Sequence, residues 1–292
     1  MLNALSVDVE EYFQVANFSE NISRDSWDAR TRRSDVATKS LLDLFDQHNA
    51  KATFFVLGWL AEREPGLVRE IAARGHEIAS HGYSHSLIYE QGKKFFTEET
   101  VRSKNLLEDI IGQPVQGYRA ASFSITEKSL WALDVLAEHG FSYDSSVFPT
   151  LHDRYGIRGA PVSPAMLETI SGATIREFPL TTLRLMNVDL PISGGGYFRL
   201  YPYAFTRYGL RTVNKRDNRP FVFYCHPWEF DPEQPRVKAT LVNRWRHYQN
   251  MGKSLSRLDK LLGDFKFGTV ADVLDNVSLP HVKVQSFAVA VN

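Results

Sequence analysis

Two histidines four residues apart carry the clearest chemical signal in this chain. His81 and His85 lie within the run Ser-His-Gly-Tyr-Ser-His, on a short turn that leaves a predicted strand. Imidazoles at this spacing can each direct a ring nitrogen at a common point, as a divalent metal of the zinc type requires. Histidine is also common in surface loops, so the pair alone is compatible with two unrelated side chains as well as with a metal site.

Acidic and basic residues follow other predicted strands. Asp8 and Glu10 end the first apolar run of the chain, Arg119 ends another, and His226 follows a late apolar run. Because the C-terminal ends of parallel strands gather at one edge of a sheet or barrel, these side chains are expected to meet the two histidines there. Their presence favours the metal site over two unrelated surface histidines.

Strand-like and helix-like segments alternate four times in the first half of the chain. Strands are predicted at 2–9, 52–57, 76–80 and 115–119, and helices at 34–48, 65–75, 97–111 and 126–139. This alternation predicts an α/β fold in which parallel strands are joined by crossover helices, as in a barrel or an open sheet. The polar, irregular stretch 11–33 is predicted to be a long loop near the site.

The alternation loosens between residues 150 and 220, where extra loops and short strands are predicted. The triple glycine 194–196 lacks the Lys-Ser/Thr of a P-loop and the spacing of a dinucleotide fingerprint, so a flexible loop or a close backbone approach to a ligand is favoured. Since no linker is visible, residues 1–280 are predicted to form one domain. Its later elements are strands at 174–178, 181–185, 221–225 and 267–270, a helix at 203–215, and C-terminal helices within 240–276, followed by a tail at 281–292.

Composition excludes several classes of protein. Among 292 residues, 34 Lys and Arg balance 34 Asp and Glu, so no net charge recommends nucleic acid or an anionic membrane as a partner. No apolar run reaches the length of a transmembrane span.

The single cysteine, Cys225, excludes an intrachain disulfide and a cysteine-based zinc site, and we interpret it as a buried small hydrophobe. With no basic leader before Asp8, a cytoplasmic location is expected. A homo-oligomer is compatible with this composition.

Five short motifs occur in an order that resembles one known family. They are Ser-Val-Asp-Val-Glu at 6–10, Ser-His-Gly-Tyr-Ser-His at 80–85, Arg-Ala-Ala-Ser at 119–122, Asp-Ser-Ser-Val-Phe at 144–148 and Tyr-Cys-His at 224–226. The chain resembles the polysaccharide deacetylases of the nodulation-protein class, carbohydrate esterase family four, over residues 2–144 and 221–228. Within that class it is most similar to the deacetylases of bacterial exopolysaccharide loci.

The resemblance implies a distorted (β/α) barrel and a metal-dependent reaction. One divalent metal, Zn²⁺ before Co²⁺ or Ni²⁺, would be held by Glu10, His81 and His85 and would serve hydrolytic N-deacetylation of an N-acetylated amino sugar. The family's usual motif has adjacent aspartates, whereas here the second acid comes one position later and is a glutamate. Glu11 is therefore the alternative ligand.

The resemblance also implies roles in proton transfer. Asp8 would be the general base, Arg119 would hold it ionised, and His226 would be the general acid, kept charged and aimed by Asp144. Arg119 is followed by neither the prolines nor the aromatic of the family motif, so no oxyanion donor is assigned. Each residue also has a plainer interpretation: solvated acids at a strand end, a structural ion pair, or, for Asp144, a turn cap.

Residues beside these motifs are expected to contact the substrate. The candidates are Tyr83, Ser122, Phe123, Phe148, Tyr197, Phe198, Arg199 and Trp228. Core packing is an equally good interpretation of any one of these aromatic side chains.

Two other functions are compatible with the sequence. An allantoinase-like hydrolase of small cyclic amides or ureas would use similar ligands, and a closed pocket would favour it, whereas an aromatic-lined open groove would favour a sugar. A non-catalytic glycan-binding protein is disfavoured because binding alone needs neither Asp8 nor His226. If the protein is cytoplasmic, its expected partner is an N-acetylated glycan precursor rather than finished extracellular polymer.

Overall fold

A computed structural model describes residues 1–150, 155–186 and 188–291. Its centre is a sheet with the strand order β10-β1-β2-β3-β4-β5-β7-β6-β12, in which β11 also pairs with β1. The strands are β1 Leu2–Val9, β2 Thr53–Val56, β3 Glu77–Ser80, β4 Gly117–Tyr118, β5 Tyr143–Asp144, β6 Ala165–Glu168, β7 Thr174–Glu177, β8 Thr182–Leu185, β9 Val188–Pro191, β10 Val222–Cys225, β11 Lys266–Gly268 and β12 His281–Lys283. Neighbours from β10 to β7 pair in parallel, which confirms the predicted α/β class.

Helices cover the sheet between successive strands. They are α1 Ser34–Gln47, α2 Gly58–Arg63, α3 Pro65–Ala73, α4 Lys93–Ile111, α5 Trp131–Glu138, α6 Gly195–Leu200, α7 Tyr203–Lys215, α8 Leu241–Tyr248, α9 Ser254–Asp264 and α10 Val270–Asp275. No helix among the described residues is long and apolar enough to cross a membrane.

Strand β1 lies between β10 and β2 and also pairs with β11. All of its residues except Leu2 are buried, because β10 and β2 flank it and helices cover its faces. Such burial on both faces explains the nearly unbroken apolar run of its sequence. In its register Ala4 pairs with Val222, and Asp8 lies beside Phe55 at the C-terminal end.

Irregular chain bridges the two ends of the parallel set, as in a distorted barrel. Val222 of β10 donates its N–H to the Thr181 hydroxyl, and the Leu180 N–H bonds the carbonyl of Val147, which follows β5. The Tyr224 N–H bonds Ser193 O at 2.7 Å. Gly194 pairs with Tyr224 at a φ of +133°, and a Cβ there would lie 1.9 Å from the Tyr224 carbonyl oxygen. Gly194 therefore permits a close backbone approach to β10.

Several boundaries differ from the predictions. Helix α4 begins at Lys93, four residues before the predicted start, because the helix is capped at Gly92 and includes Phe95 and Phe96 ahead of Thr97. The strands β6, β9 and β12 and the helices α2 and α6 were not predicted, since segments of three to six residues are too short to show a period. The predicted tail contains β12, which pairs with β6. Parts of the segment 150–220, residues 151–154 and 187, lie outside the described residues.

Candidate active site

A cavity of about 670 Å³ opens at the C-terminal ends of β1, β3 and β10. We call it the central cavity. Asp8, Glu10, His81, His85 and His226 all line it. The structure thus brings together the acids, the histidine pair and the late histidine, although His226 comes 141 positions after His85 in the sequence.

Three side chains in the central cavity could hold a metal ion. Donor atoms of Glu10, His81 and His85 all lie within 4.8 Å of one another. Glu10 Oε2 is 2.7 Å from His85 Nε2, yet this buried oxygen has no hydrogen-bond partner among the described residues. Two imidazoles and a carboxylate whose donor atoms converge on one point fit a shared cation, so these residues fit a divalent metal.

The backbone fixes the orientation of His81. Its Nδ1 lies 2.8 Å from the carbonyl oxygen of Arg119, and since a carbonyl only accepts, Nδ1 carries the proton. Nε2 is then left with a free lone pair for a metal. Burial lowers the pKa of His81 to about 4, so the ring is neutral at pH 7, as a ligand must be.

Glu10 is held ionised by its neighbours. Burial alone would raise its pKa, but the positive fields of His85 and then His226 outweigh burial and leave the pKa well below its usual range. The other oxygen, Oε1, accepts a hydrogen bond of 3.0 Å from Trp228 Nε1. The two carboxylate oxygens thus have different neighbours: Oε1 faces the indole, and Oε2 faces the histidine pair.

Glu11, the alternative ligand, points elsewhere. Its carboxylate accepts hydrogen bonds from the backbone N–H groups of Arg33 and Ser34 and from the Ser34 hydroxyl at 2.7 Å. These are free donors at the start of α1, so Glu11 caps that helix. The geometry favours Glu10 as the acidic member of the cluster.

Asp8 forms a buried ion pair with Arg119. Arg119 Nη1 is 2.7 Å from Asp8 Oδ1, and both side chains are almost fully buried. The guanidinium also donates to Ser6 Oγ and to Ser145, and it lies 4.1 Å above the ring of Phe55. These contacts hold the guanidinium in one orientation. Asp8 is therefore fixed beside the three candidate metal ligands.

His226 has a carboxylate partner that differs from the predicted one. Its Nδ1 lies 3.4 Å from Glu229 Oε2, and its Nε2 lies 3.8 Å from Asp8 and 3.7 Å from Glu10. Burial alone would lower the pKa of His226, but Glu10, Glu229 and Asp8 raise it to about 9. Glu229 is itself held by Arg199 Nε at 2.9 Å.

Asp144 therefore does not aim His226 as predicted. It is fully buried and accepts hydrogen bonds from the Ser146 hydroxyl and backbone N–H, at 2.6 and 3.1 Å. The same hydroxyl accepts from the Ala120 N–H, so Asp144 supports the loop after Arg119. Burial, partly offset by hydrogen bonds, raises the Asp144 pKa to about 6. Glu229 lies one turn of a 3₁₀ helix after His226. It therefore makes the contact with the imidazole that was predicted for Asp144.

Five of the predicted substrate contacts line the central cavity, but not all of them are free to bind a substrate. They are Ser122, Phe123, Tyr197, Arg199 and Trp228. Ser122 and Phe123 both adopt left-handed backbone conformations, with φ of 52° and 54°, a strain that loops tolerate mainly at functional sites. The guanidinium of Arg199, by contrast, is occupied by Glu229 and by the backbone carbonyl of His247.

The other three predicted contacts do not line the cavity. Tyr83 donates its hydroxyl to Glu62 and lies under Arg102. Phe148 is fully buried and stacks on Tyr155 at 5.1 Å, and Phe198 packs edge-on against Phe223 in the core. These predictions were wrong because an apolar ring near a motif looks the same in sequence whether it packs inward or outward.

Trp228 is a buried linker rather than an open platform. Its ring stacks between His226 and His247, with centroids 5.1 and 4.4 Å away, while its N–H bonds Glu10. One side chain thus touches both a metal-cluster carboxylate and the late histidine. Sequence reasoning missed this link and Glu229, although the run His-Pro-Trp-Glu at 226–229 contains both.

We expect Trp228→Phe to weaken metal binding. Phenylalanine keeps a ring between the histidines but removes the donor to Glu10, and loss of such an outer partner typically costs about 10- to 100-fold in metal affinity. Zinc titration of the metal-free protein would measure the change. Trp59→Phe, a buried tryptophan packed on Phe13, is the matched control. Equal zinc affinity in both variants would show that the Trp228 bond contributes nothing.

Two family models match the chain side by side. Residues 26–143 match the polysaccharide deacetylase model, and residues 145–275 match a domain of unknown function, DUF3473. The histidine pair and Arg119 lie in the first match, His226 and Trp228 lie in the second, and β1 lies outside both.

Curated relatives match part of the chain. A peptidoglycan-N-acetylglucosamine deacetylase from Bacillus cereus is 31% identical over 120 residues, which is 37% of this chain and 44% of the relative. A chitooligosaccharide deacetylase from Bradyrhizobium is 30% identical over 100 residues, 34% of this chain and 43% of the relative. The chain spans less than half the length of either relative.

Solved structures match the fold more completely. A Mycobacterium smegmatis protein described as a candidate polysaccharide deacetylase superposes with a TM-score of 0.61 at 18% identity, covering 94% of this chain and 90% of that one. An allantoinase superposes with a TM-score of 0.58 at 15% identity, covering 93% and 87%. At these identities the likeness concerns the fold.

Residues 26–143 therefore resemble the polysaccharide deacetylases whose family model they match. This match continues directly into the DUF3473 match at residues 145–275. The predicted resemblance to the family is confirmed, and the exopolysaccharide-locus type stays a prediction.

Proposed function

We propose that this protein removes the acetyl group from an N-acetylated amino sugar in a glycan, by metal-dependent hydrolysis. The observation that carries the proposal is the position of Asp8. It lies beside the Glu10–His81–His85 cluster and is fixed by Arg119, with His226 3.8 Å away in the same cavity. This is the set of groups that amide hydrolysis needs.

Each proton in the reaction has a candidate carrier. Asp8, held in place by its ion pair with Arg119, takes the proton of the attacking water. His226, which the surrounding carboxylates keep protonated, gives a proton to the nitrogen that leaves. Glu229 holds the imidazole from its other side, and Arg199 holds Glu229.

Glu10, His81 and His85 would hold the metal, and we propose Zn²⁺ because two imidazoles and one carboxylate are a usual zinc ligand set. A divalent cation there supplies Lewis-acid polarisation of the water and of the acetyl carbonyl. Two of these side chains are oriented by the protein itself. The carbonyl oxygen of Arg119 orients His81, and Trp228 Nε1 orients Glu10.

The names of the relatives support a glycan substrate, since one acts on peptidoglycan N-acetylglucosamine and another on chitooligosaccharides. We propose further that the substrate here is a glycan precursor met in the cytoplasm. What supports this is the one cysteine, Cys225, which is buried and unpaired, as is usual in a reducing compartment.

The alternative function is hydrolysis of cyclic amides, because an allantoinase superposes on this fold. The shape of the cavity favours sugar. Phe123, Tyr197 and the half-exposed Trp245 line it, so the cavity is aromatic and open to solvent. A small ring would need a closed pocket to bury most of its surface.

Acetate release from a panel of compounds tests the proposal. We expect acetate from N-acetylated oligosaccharides of precursor size, less from mature polymer, and no ring opening of allantoin. Cell fractionation in parallel would check the location. Turnover of allantoin without acetate release from any sugar would contradict the proposed function, and activity confined to mature polymer would contradict the precursor.

A further inference from the structure

We propose that the central cavity binds more than the reacting sugar, and that α8 provides a second sugar site centred on Trp245. The inference deepens the proposed function and rests on it. The ligand class is an oligosaccharide whose neighbouring ring packs on the indole while its N-acetyl group lies at Asp8 and His226.

Helix α8 is attached to the reacting groups through its buried side. His247 is fully buried, stacks on Trp228 at 4.4 Å, and contacts Gln234 through Nε2 at 2.8 Å. The carbonyl oxygen of His247 accepts a hydrogen bond from Arg199, which also holds Glu229. The helix therefore has a fixed position relative to His226.

The solvent side of the same helix faces the cavity. Trp245 is 58% exposed and lines the central cavity, as do Arg246 and Gln249. An indole left open to water has no role in the core, and here it adjoins side chains rich in hydrogen-bond donors. A flat apolar face rimmed by polar groups suits a sugar, which has apolar C–H faces and hydroxyl edges.

The extent of the cavity favours an oligosaccharide as the ligand. Trp245 shares one cavity with the metal cluster, so a ligand on the indole is also within reach of the reacting groups. Val15, Ala16 and Asn17 from the loop after β1 line the same cavity. A cavity of about 670 Å³ is in the range that accommodates a drug-sized molecule, whereas the reacting acetamide alone is far smaller.

Binding without turnover tests the proposal directly. Asp8→Asn protein loaded with zinc would be titrated with the N-acetylglucosamine dimer and tetramer of chitin. We expect tighter binding of the tetramer, and we expect Trp245→Ala in the same background to reduce that advantage about 3- to 10-fold. Tyr208→Ala is the matched control, since Tyr208 is 59% exposed and lies outside the central cavity.

Kinetics in the wild-type background give a second measurement. The ratio of kcat/KM for tetramer over dimer should fall about 3- to 10-fold in Trp245→Ala and stay unchanged in Tyr208→Ala. A chain-length advantage that survives Trp245→Ala would overturn the second site and leave the deacetylase proposal standing. Failure of Asp8→Asn protein to bind either oligosaccharide would overturn both.

Discussion

Removal of the metal is expected to abolish acetate release, and zinc or cobalt should restore it. Without a cation, Glu10, His81 and His85 converge on a point where no group polarises the acetyl carbonyl. Dialysis against a chelator, followed by metal analysis and an acetate assay at each step, would measure the effect. Full activity in protein shown to be metal-free would contradict the mechanism.

A histidine variant separates this effect from damage by the chelator. His81→Ala should lose both bound metal and activity, whereas His281→Ala, an exposed histidine on β12, should lose neither. Metal should also stabilise the folded protein, by about 2.7 kcal/mol when its free concentration is 100 times Kd. The thermal midpoint of the wild type should therefore rise with zinc, and that of His81→Ala should not.

Asp8→Asn is expected to lower kcat by roughly 10²–10⁴ while the metal stays bound. Asparagine keeps the shape of the side chain and can still accept from Arg119, but it cannot take a proton from water. Glu10→Ala should instead cost the metal. Metal content and kcat of the two purified variants would distinguish a base from a ligand.

Glu11→Gln is the matched control for both acids. Glu11 caps α1, so its variant should keep the metal and most of the activity. Because Asp8→Asn leaves the buried Arg119 charge without its counter-ion, a loss of stability of up to about 3–5 kcal/mol is expected, and thermal unfolding would show whether the variant is folded at the assay temperature. Loss of metal in Asp8→Asn with retention in Glu10→Ala would show that the two roles are reversed.

The sequence predicted the parts of the site that depend on strand ends. Asp8 lies at the C-terminal end of β1, and Glu10, His81 and Arg119 each follow a strand of the parallel set, so the parallel strands bring these residues to one edge. The alternating pattern was enough for this because β1 to β3 are buried and apolar.

Partners of those residues were harder to predict. A motif order suggested Asp144 for His226, but the choice between Asp144 and Glu229 depends on side-chain direction, which spacing does not reveal. Trp245 was not singled out because it lies in the predicted C-terminal helices, away from every motif and every strand end. Its importance depends on the cavity, which exists only after the chain has folded.

The pairing of β1 with β10 and β11, two strands from late in the chain, has a consequence for synthesis on the ribosome. A nascent chain that has emerged as far as residue 144 already contains His81, His85 and both acids of β1. It lacks β10 and β11, whose pairings with β1 join Ala4 to Val222 and Leu2 to Lys266. Closing contacts over such a distance in sequence is slow and must await the last third of the chain. The candidate metal ligands are therefore translated long before His226, and β1 is among the last strands to find all of its neighbours.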